Sequence, residues 1–190
     1  MDRWFDMGAQ MGTERHLLIT GRPGVGKTTI IRSLAERLAV YRPAGFYTQE
    51  IRERGVRQGF QIVTLNGRTR LLAHVEHRGS YRVGRYGVDL EGFEALLREL
   101  DLPRASSQMI LIDEIGKMEC LSHRFCEDVR AVLRSSKILI ATIALRGSGF
   151  IAEVKHRPDC LRRNVTVHNR DHLLGELVSW VQARLDQKRI

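Results

Sequence analysis

The feature that most constrains the fold of this chain is a glycine-rich stretch at residues 21–28, which reads Gly-Arg-Pro-Gly-Val-Gly-Lys-Thr. It fits the Walker A pattern G-x-x-x-x-G-K-[ST] without a mismatch and closely follows the apolar residues Leu17, Leu18 and Ile19. A strand that ends near Thr20, a glycine loop and a helix that opens near Lys27 form the context in which this pattern cradles phosphate. The alternative is a glycine turn before an ordinary helix. The context favours the phosphate-binding loop, and we therefore expect nucleotide binding.

Each residue type in this loop has a physical role in holding a polyphosphate. Glycines at 21, 24 and 26 allow the backbone to curl so that successive N–H groups point inward. The N-terminus of the following helix adds partial positive charge at the same place. The spacing predicts that Lys27 reaches the β- and γ-phosphates and that the Thr28 hydroxyl holds Mg²⁺.

Length and composition predict one globular domain. The chain has 190 residues, of which 43% are hydrophobic and 28% charged, and this suits a single domain with a sizeable core. We expect a domain over residues 15–190 after a poorly ordered extension over residues 1–14. That extension has no apolar segment of the kind found in secretory signals, and no apolar run in the chain approaches the ~20 residues of a membrane span. An odd number of cysteines, Cys120, Cys126 and Cys160, predicts free thiols and a cytoplasmic protein.

The net charge of +9 has two interpretations. A nucleic-acid partner would use such a charge, and so would a solvated surface rich in arginine. The basic residues are scattered and form no long block, which favours the solvated surface. Nucleic acid is therefore not a favoured partner, a nucleoside triphosphate is the expected ligand, and we expect a monomer.

The order of predicted elements indicates an α/β fold. Strand patterns at His16–Thr20, Met109–Ile112 and Lys137–Ala144 are separated by helix patterns at 27–40, 90–100 and 122–134, and a last strand (165–167) and helix (173–185) follow. Such alternation predicts a mostly parallel sheet covered by helices on both faces, a three-layer arrangement. Between the first helix and residue 76, turn signals at 53–55 and 66–67 predict an antiparallel hairpin addition at one edge. Residues 77–88 are interpreted as a surface loop.

Two acidic residues, Asp113 and Glu114, follow the apolar run that ends at Ile112. A carboxylate at the tip of a buried strand is costly unless a metal or hydrogen bonds satisfy it. Mg²⁺ on Thr28 is a natural partner, which makes Asp113 the second metal-side residue. Glu114 is then placed to orient or deprotonate a water, the task of a base in hydrolysis. The alternative is an ordinary acidic turn after a strand.

Several other residues carry weaker signals with two interpretations each. Thr142 either positions the attacking water or is a strand former whose hydroxyl binds backbone. Residues 169–171 (Asn-Arg-Asp) either contact the nucleobase or cap the last helix. Hydrolysis develops charge on the γ-phosphoryl oxygens, which a cation stabilises; the candidates are Lys117, Arg85, Arg52 and Arg57, and each is also an ordinary surface charge.

Five stretches resemble the small nucleoside-triphosphatase family known from thermophilic archaea and bacteria, to which a human cancer-related nucleoside-triphosphatase is related. They are Gly21–Thr29, Gly45–Phe60, Val83–Val88, Ile112–Glu119 and Asn169–Asp171, of which GFYT and DEIGKME are the most selective. The resemblance implies a RecA-like P-loop fold and Mg²⁺-dependent hydrolysis of ATP, GTP and other triphosphates with weak base discrimination. It places the phosphate loop on residues 21–28, the metal on Thr28 and Asp113, and catalysis on Glu114 and Lys27. The candidate nucleotide-binding residues are Gly21, Arg22, Pro23, Gly24, Val25, Gly26, Lys27, Thr28, Thr29, Ile110, Leu111, Ile112, Asp113, Glu114, Ile115, Gly116 and Lys117.

Two other activities compete with hydrolysis. A nucleotide or small-molecule kinase on the same scaffold would need an arginine-rich lid, for which residues 77–88 are the candidate. A nucleic-acid-dependent ATPase would explain the charge, but no helicase-like second domain is present in the sequence. Glu114 next to Asp113 favours the hydrolase.

Overall fold

Nine strands and five α-helices make up the part of the chain that the computed structural model describes, residues 13–186. The strands are β1 (His16–Gly21), β2 (Ala44–Glu53), β3 (Val56–Thr64), β4 (Thr69–His74), β5 (Arg82–Val83), β6 (Tyr86–Val88), β7 (Met109–Ile115), β8 (Ile138–Ile143) and β9 (Cys160–Val165). The helices are α1 (Lys27–Arg37), α2 (Leu90–Leu100), α3 (His123–Arg134), α4 (Phe150–Lys155) and α5 (Arg170–Asp186).

All nine strands form one sheet in the order β5-β6-β4-β3-β2-β7-β8-β1-β9. From β2 to β9 the neighbouring strands run parallel, whereas β2-β3, β3-β4, β4-β6 and β5-β6 pair antiparallel. The predicted fold class, a mostly parallel three-layer sheet with an antiparallel addition at one edge, is therefore confirmed. The carboxyl ends of the parallel strands meet at one edge, where ligands bind in open α/β sheets.

The central strands are apolar at consecutive positions because helices cover both faces of the sheet. Ile110 and Ile112 of β7 face a core shared with α2, α3 and α4, in which Phe46, Phe93 and Phe125 pack together. Met109 and Leu111 face the opposite core, which α1 and α5 cover. Helix starts follow the predicted capping rule: the Asp89 carboxylate accepts from Gly92 N at 3.0 Å and the Ser122 hydroxyl accepts from Phe125 N at 3.1 Å.

Some element bounds differ from the sequence prediction. The strand β7 continues through Asp113 and Glu114 to Ile115, and its pairing with β8 shifts register after Ile112. Residues 77–88, expected as a loop, contain β5 and β6. The last strand ends at Val165 rather than beginning there, because β1 already offers Cys160–Val165 a parallel edge. The helix expected over 27–40 ends at Arg37 and is followed by a short 3-10 turn, Ala39–Tyr41.

The predicted N-terminal extension covers residues 1–14, and residues 1–12 of it lie outside the range that the structure describes. Glu14 is described, and its carbonyl oxygen accepts a hydrogen bond from Arg184 Nε of α5 at 2.8 Å. Among residues 13–186, no helix combines the length and apolar character that a membrane crossing requires.

Gly45 allows β2 to run very close to β7. Its φ is +136°, and a Cβ atom at this position would lie only 1.8 Å from the carbonyl oxygen of Leu111. Any other residue would clash with the β7 backbone and adopt a conformation that side chains disfavour. This close pairing sets the position of β2, which carries Thr48 three residues further on.

His16 is a fully buried histidine at the start of β1. Its Nδ1 accepts the N–H of Leu139 at 3.1 Å, and Nε2 lies 3.1 Å from the carbonyl oxygen of Leu133, to which it donates. Protonation of Nδ1 would set two N–H groups against each other, and burial penalises the charge further. Burial lowers the pKa of His16 to about 4, in spite of nearby Asp159.

This buried histidine predicts a loss of stability in mild acid. The unfolded chain takes up a proton near pH 6.5, whereas the folded chain does so only near pH 4, so stability falls as the pH drops through this window. At about 1.4 kcal/mol per pKa unit the loss reaches about 3 kcal/mol. Urea unfolding at pH 7.5 and 4.5 should show this loss in the parent and a shallower dependence in His16→Asn, which cannot be protonated. Equal pH slopes would contradict the assignment to His16.

Candidate functional site

The glycine-rich stretch forms the loop between β1 and α1. Gly26 precedes α1 in the left-handed region (φ +107°), with no side-chain cap on the helix and no acidic residue in its first turn. The first-turn N–H groups of a helix have no intrahelical partners, and together with the helix dipole they attract an anion. The loop therefore has the local properties of a phosphate site.

Lys27 folds back over this loop. Its ammonium nitrogen donates to the carbonyl oxygens of Gly21 at 3.2 Å and of Arg22 at 3.4 Å. The charge is held above the curved backbone, next to the cavity that the loop borders.

Asp113 joins the phosphate loop to the centre of the sheet. Its Oδ2 accepts from the Thr28 hydroxyl at 2.6 Å and from the Thr48 hydroxyl at 3.2 Å, and its Oδ1 accepts from the Thr142 hydroxyl at 2.5 Å. This carboxylate is only 1% exposed, so the three hydroxyls provide the hydrogen bonds that burial demands. Thr142 thus binds Asp113, which neither interpretation from the sequence anticipated.

Glu114 follows Asp113 and lines the cavity beside the phosphate loop. Burial raises the pKa of this carboxyl, the charge of Lys27 lowers it, and the charge of Asp113 raises it. A partly desolvated carboxylate at the mouth of an anion site suits proton transfer with a bound water.

Behind Glu114 lies a second buried carboxyl group, that of Glu119. A Cβ atom at Gly116 would lie 2.8 Å from Glu119 Oε2 and 3.4 Å from Glu114 Oε1, so both carboxyls pack against this glycine. Burial and, to a lesser extent, the charges of Glu114 and Asp113 raise the pKa of Glu119 to about 8. Burial therefore favours the uncharged form of Glu119.

An open cavity of about 670 Å³ lies across the phosphate loop. One side is formed by the loop and α1, and the other by β2, β3 and the segment after β8. Besides the predicted nucleotide-binding residues, it is lined by Arg57, a candidate cation from the sequence, and by Arg32, Tyr47, Thr48, Gln49, Glu50, Phe60, Ala144, Leu145 and Arg146. The residues predicted from the sequence lie on the glycine-loop side of this cavity, and most of its far wall was not predicted.

The predicted nucleotide-binding residues divide between cavity and core. Gly21, Pro23, Gly24, Gly26, Lys27, Thr28, Thr29 and Glu114 line the cavity. Asp113 lies beneath them, bound to Thr28. The side chains of Ile110, Leu111, Ile112 and Ile115 are fully buried in the two cores, where β7 requires them. Arg22, Val25, Gly116 and Lys117 do not line the cavity; Arg22 and Lys117 are exposed, whereas Val25 and Gly116 are buried.

The four cationic candidates for charge stabilisation lie in different places. Arg57 lines the cavity and pairs with Glu50 at 3.0 Å. Arg52 is exposed and bonded to the same Glu50. Arg85 donates to the carbonyl oxygen of Arg57 and lies over the Tyr86 ring. Of the four, only Arg57 borders the cavity that contains Glu114.

Residues 169–171 lie on the other side of the phosphate loop. Asn169 accepts from Thr166 N at 2.8 Å and donates to Asn164 O at 3.0 Å, which fixes the turn between β9 and α5. Arg170 and Asp171 border a cavity of about 460 Å³ that shares Gly26 and Thr29 with the first one. Asn169 thus stabilises the turn, whereas Arg170 and Asp171 are exposed at this second cavity.

Comparison with known proteins shows similarity over nearly the whole chain. A family model described as NTPase matches residues 16–178. A protein named Nucleoside-triphosphatase THEP1 from Thermotoga maritima is 41% identical over 91% of this chain and 99% of its own length. Cancer-related nucleoside-triphosphatase from Homo sapiens is 40% identical over 89% of this chain and 97% of its own. The crystal structure of THEP1 from Aquifex aeolicus superposes with a TM-score of 0.79 at 32% identity, over 87% of this chain and 98% of that one.

Proposed function

Because this chain belongs to the NTPase family and is a nucleoside-triphosphatase, we propose that it hydrolyses nucleoside 5′-triphosphates to the diphosphate and phosphate with Mg²⁺ and weak base selectivity. The observation that carries this proposal is the bond from Thr28 to Asp113, with Glu114 next to it on the cavity side. It joins the start of α1 to the tip of β7, so that the groups for metal, phosphate and water converge.

The residues present fit a magnesium ion. The Thr28 hydroxyl and the Asp113 carboxylate are hard oxygen ligands, and they lie 2.6 Å apart beside the phosphate loop. Within the described range, His, Cys, Asp and Glu side chains form no group of three or more that suits a metal ion. Mg²⁺ commonly needs few protein ligands when substrate phosphates and waters supply the rest. When bound, it would neutralise charge on the β- and γ-phosphates.

The chain's own residues perform the other steps of hydrolysis. Lys27 and the N–H groups of the loop hold the β- and γ-phosphates. Glu114 orients a water and accepts one of its protons as the water oxygen bonds to the γ-phosphorus. The bond from that phosphorus to the β,γ-bridging oxygen breaks, and the nucleoside diphosphate leaves with the electron pair.

Weak base selectivity follows from the residues at the other end of the loop. Arg170 and Asp171, which we propose border the base and ribose, are exposed and lie 3.6 Å apart as an ion pair. Strong discrimination requires buried polar groups that are left unpaired by the wrong ligand. An exposed side chain that loses its contact with a base can bind water instead, at little cost in free energy, so a change of base is tolerated.

Two observations weigh against the kinase alternative. Residues 77–88, the candidate lid, contain β5 and β6, and β6 pairs with β4 in the sheet. The Tyr86 ring packs edge-on against Phe60 with centroids 5.2 Å apart, so this segment is built into the fold. The names of the relatives also describe hydrolases.

We further propose a cytoplasmic monomer, as the free cysteines and scattered charge suggest.

Phosphate release tests this proposal. The protein should convert ATP, GTP, CTP and UTP to one phosphate and one diphosphate each, with kcat/KM values within about tenfold of one another. Excess EDTA should abolish turnover, and added Mg²⁺ should restore it. A preference of several orders of magnitude for one base would contradict the proposed selectivity. Full activity in EDTA would contradict the metal role.

A further inference from the structure

The cations on the far wall of the cavity differ in what already holds them. Arg32 stacks on the Tyr47 ring at 5.3 Å, and Arg57 is paired with Glu50 and stacked on Phe60 at 5.5 Å. Arg146 is exposed and, among residues 13–186, has no hydrogen bond, ion pair or ring contact. It is therefore a charged group in the cavity whose guanidinium is free to bind a ligand.

Arg146 is connected to Glu114 through a short path. It lies four residues after Thr142, whose hydroxyl binds Asp113. The N–H of Ala144 donates to the carbonyl oxygen of Ile115 at 3.1 Å, which ties the segment before Arg146 to the segment after Glu114. Both residues line the same cavity, so the fold places the proposed base and an arginine at one site.

The segment that carries Arg146 is held at both ends and exposed in between. Lys155 of α4 donates to the carbonyl oxygen of Leu145 at 2.9 Å, and the carbonyl oxygen of Gly149 accepts from the N–H of Glu153 in α4 at 3.0 Å. Between these points, residues 146–148 (Arg-Gly-Ser) are exposed. A long side chain on such a segment can follow the γ-phosphoryl group as it transfers.

We propose that Arg146 is a catalytic residue of the hydrolysis reaction, one that binds the γ-phosphoryl oxygens as the transition state forms. This inference rests on the proposed function. As the water oxygen bonds to phosphorus and the bridging oxygen leaves, charge redistributes over the equatorial and leaving oxygens. An unpaired guanidinium offers a planar, permanently charged fork of donors for such oxygens. Groups in this role contribute about 10³–10⁵ to turnover when supplied within the same chain or by a partner.

The test compares Arg146→Ala and Arg146→Lys with Arg98→Ala, which removes an exposed arginine of α2 outside the cavity. Arg146→Ala should lower kcat at least 100-fold with KM changed less than about threefold, Arg146→Lys should recover part of the loss, and Arg98→Ala should match the parent. The affinity for a non-hydrolysable ATP analogue, measured in the presence of Mg²⁺, should be unchanged in all three variants. Trapping of ADP with aluminium fluoride, a mimic of the transferring phosphoryl, should be lost in Arg146→Ala.

Each contrary result identifies what has failed. If Arg146→Ala keeps both turnover and aluminium-fluoride trapping, Arg146 has no part in the transition state. If it loses affinity for the analogue as much as turnover, it binds the ground state instead. If Arg57→Ala or Arg32→Ala shows the selective loss and Arg146→Ala does not, the role belongs to that residue. If the parent itself releases no phosphate, the proposed function has failed, whatever Arg146 does.

Discussion

Lys27→Ala should reduce turnover of every triphosphate to below about one-thousandth of the parent value. Its ammonium group lies over the carbonyl oxygens of Gly21 and Arg22, where a bound polyphosphate would meet the loop. Removal of this charge leaves the developing negative charge on the γ-phosphoryl group without its nearest side-chain cation, an effect of several kcal/mol in rate. Steady-state phosphate release with ATP and GTP measures the loss.

The matched control for Lys27→Ala is Arg98→Ala, which removes one positive charge from α2. Circular dichroism and urea unfolding should show both variants folded, because Lys27 is only partly buried and its hydrogen bonds within residues 13–186 go to loop carbonyls. Turnover in folded Lys27→Ala at the parent rate would contradict the assignment of residues 21–28 as a phosphate-binding loop. A loss of turnover in Arg98→Ala would mean that net charge, rather than Lys27 itself, controls activity.

Glu114→Gln and Glu114→Ala should lower kcat by roughly 10²–10⁴, the usual contribution of a positioned base. The glutamine keeps the shape of the side chain but cannot accept the proton of the attacking water. Affinity for a non-hydrolysable ATP analogue should be unchanged or slightly increased, since a negative charge next to the phosphates is removed. Single-turnover hydrolysis and titration of the analogue separate the two effects.

Glu91→Gln, on the exposed first turn of α2, is the control for loss of one carboxylate and should keep parent activity. Parent-like turnover in Glu114→Gln would show that another group activates the water. Loss of analogue binding in step with turnover would assign Glu114 to the ground state. Lys27→Ala and Glu114→Gln therefore differ in a measurable way: the first weakens phosphate contacts, and the second removes the proton acceptor.

Much of the fold could be predicted from the sequence because its signals are local. The runs Leu17–Ile19, Met109–Ile112 and Ile138–Ala141 are apolar at consecutive positions, which is typical of strands with both faces covered. Asp89 and Ser122 cap their helices as expected. The strands that were missed are short: β5 and β6 have two and three residues, and strands of this length form only because β6 pairs with β4 and β5 pairs with β6.

The sequence by itself determined the glycine-rich loop, the start of α1 and the acidic pair at the end of a buried apolar run. These depend on the backbone preferences of neighbouring residues and on burial patterns within a few positions. Only the tertiary structure decided that Thr48 and Thr142 bind Asp113, that Glu119 lies behind Glu114, and that Arg146 shares their cavity. These residues come from separate strands and loops, and threonines or arginines on exposed strands have the same local pattern. Their roles arise because parallel strands end at one edge of the sheet, a property of the packed chain rather than of any segment.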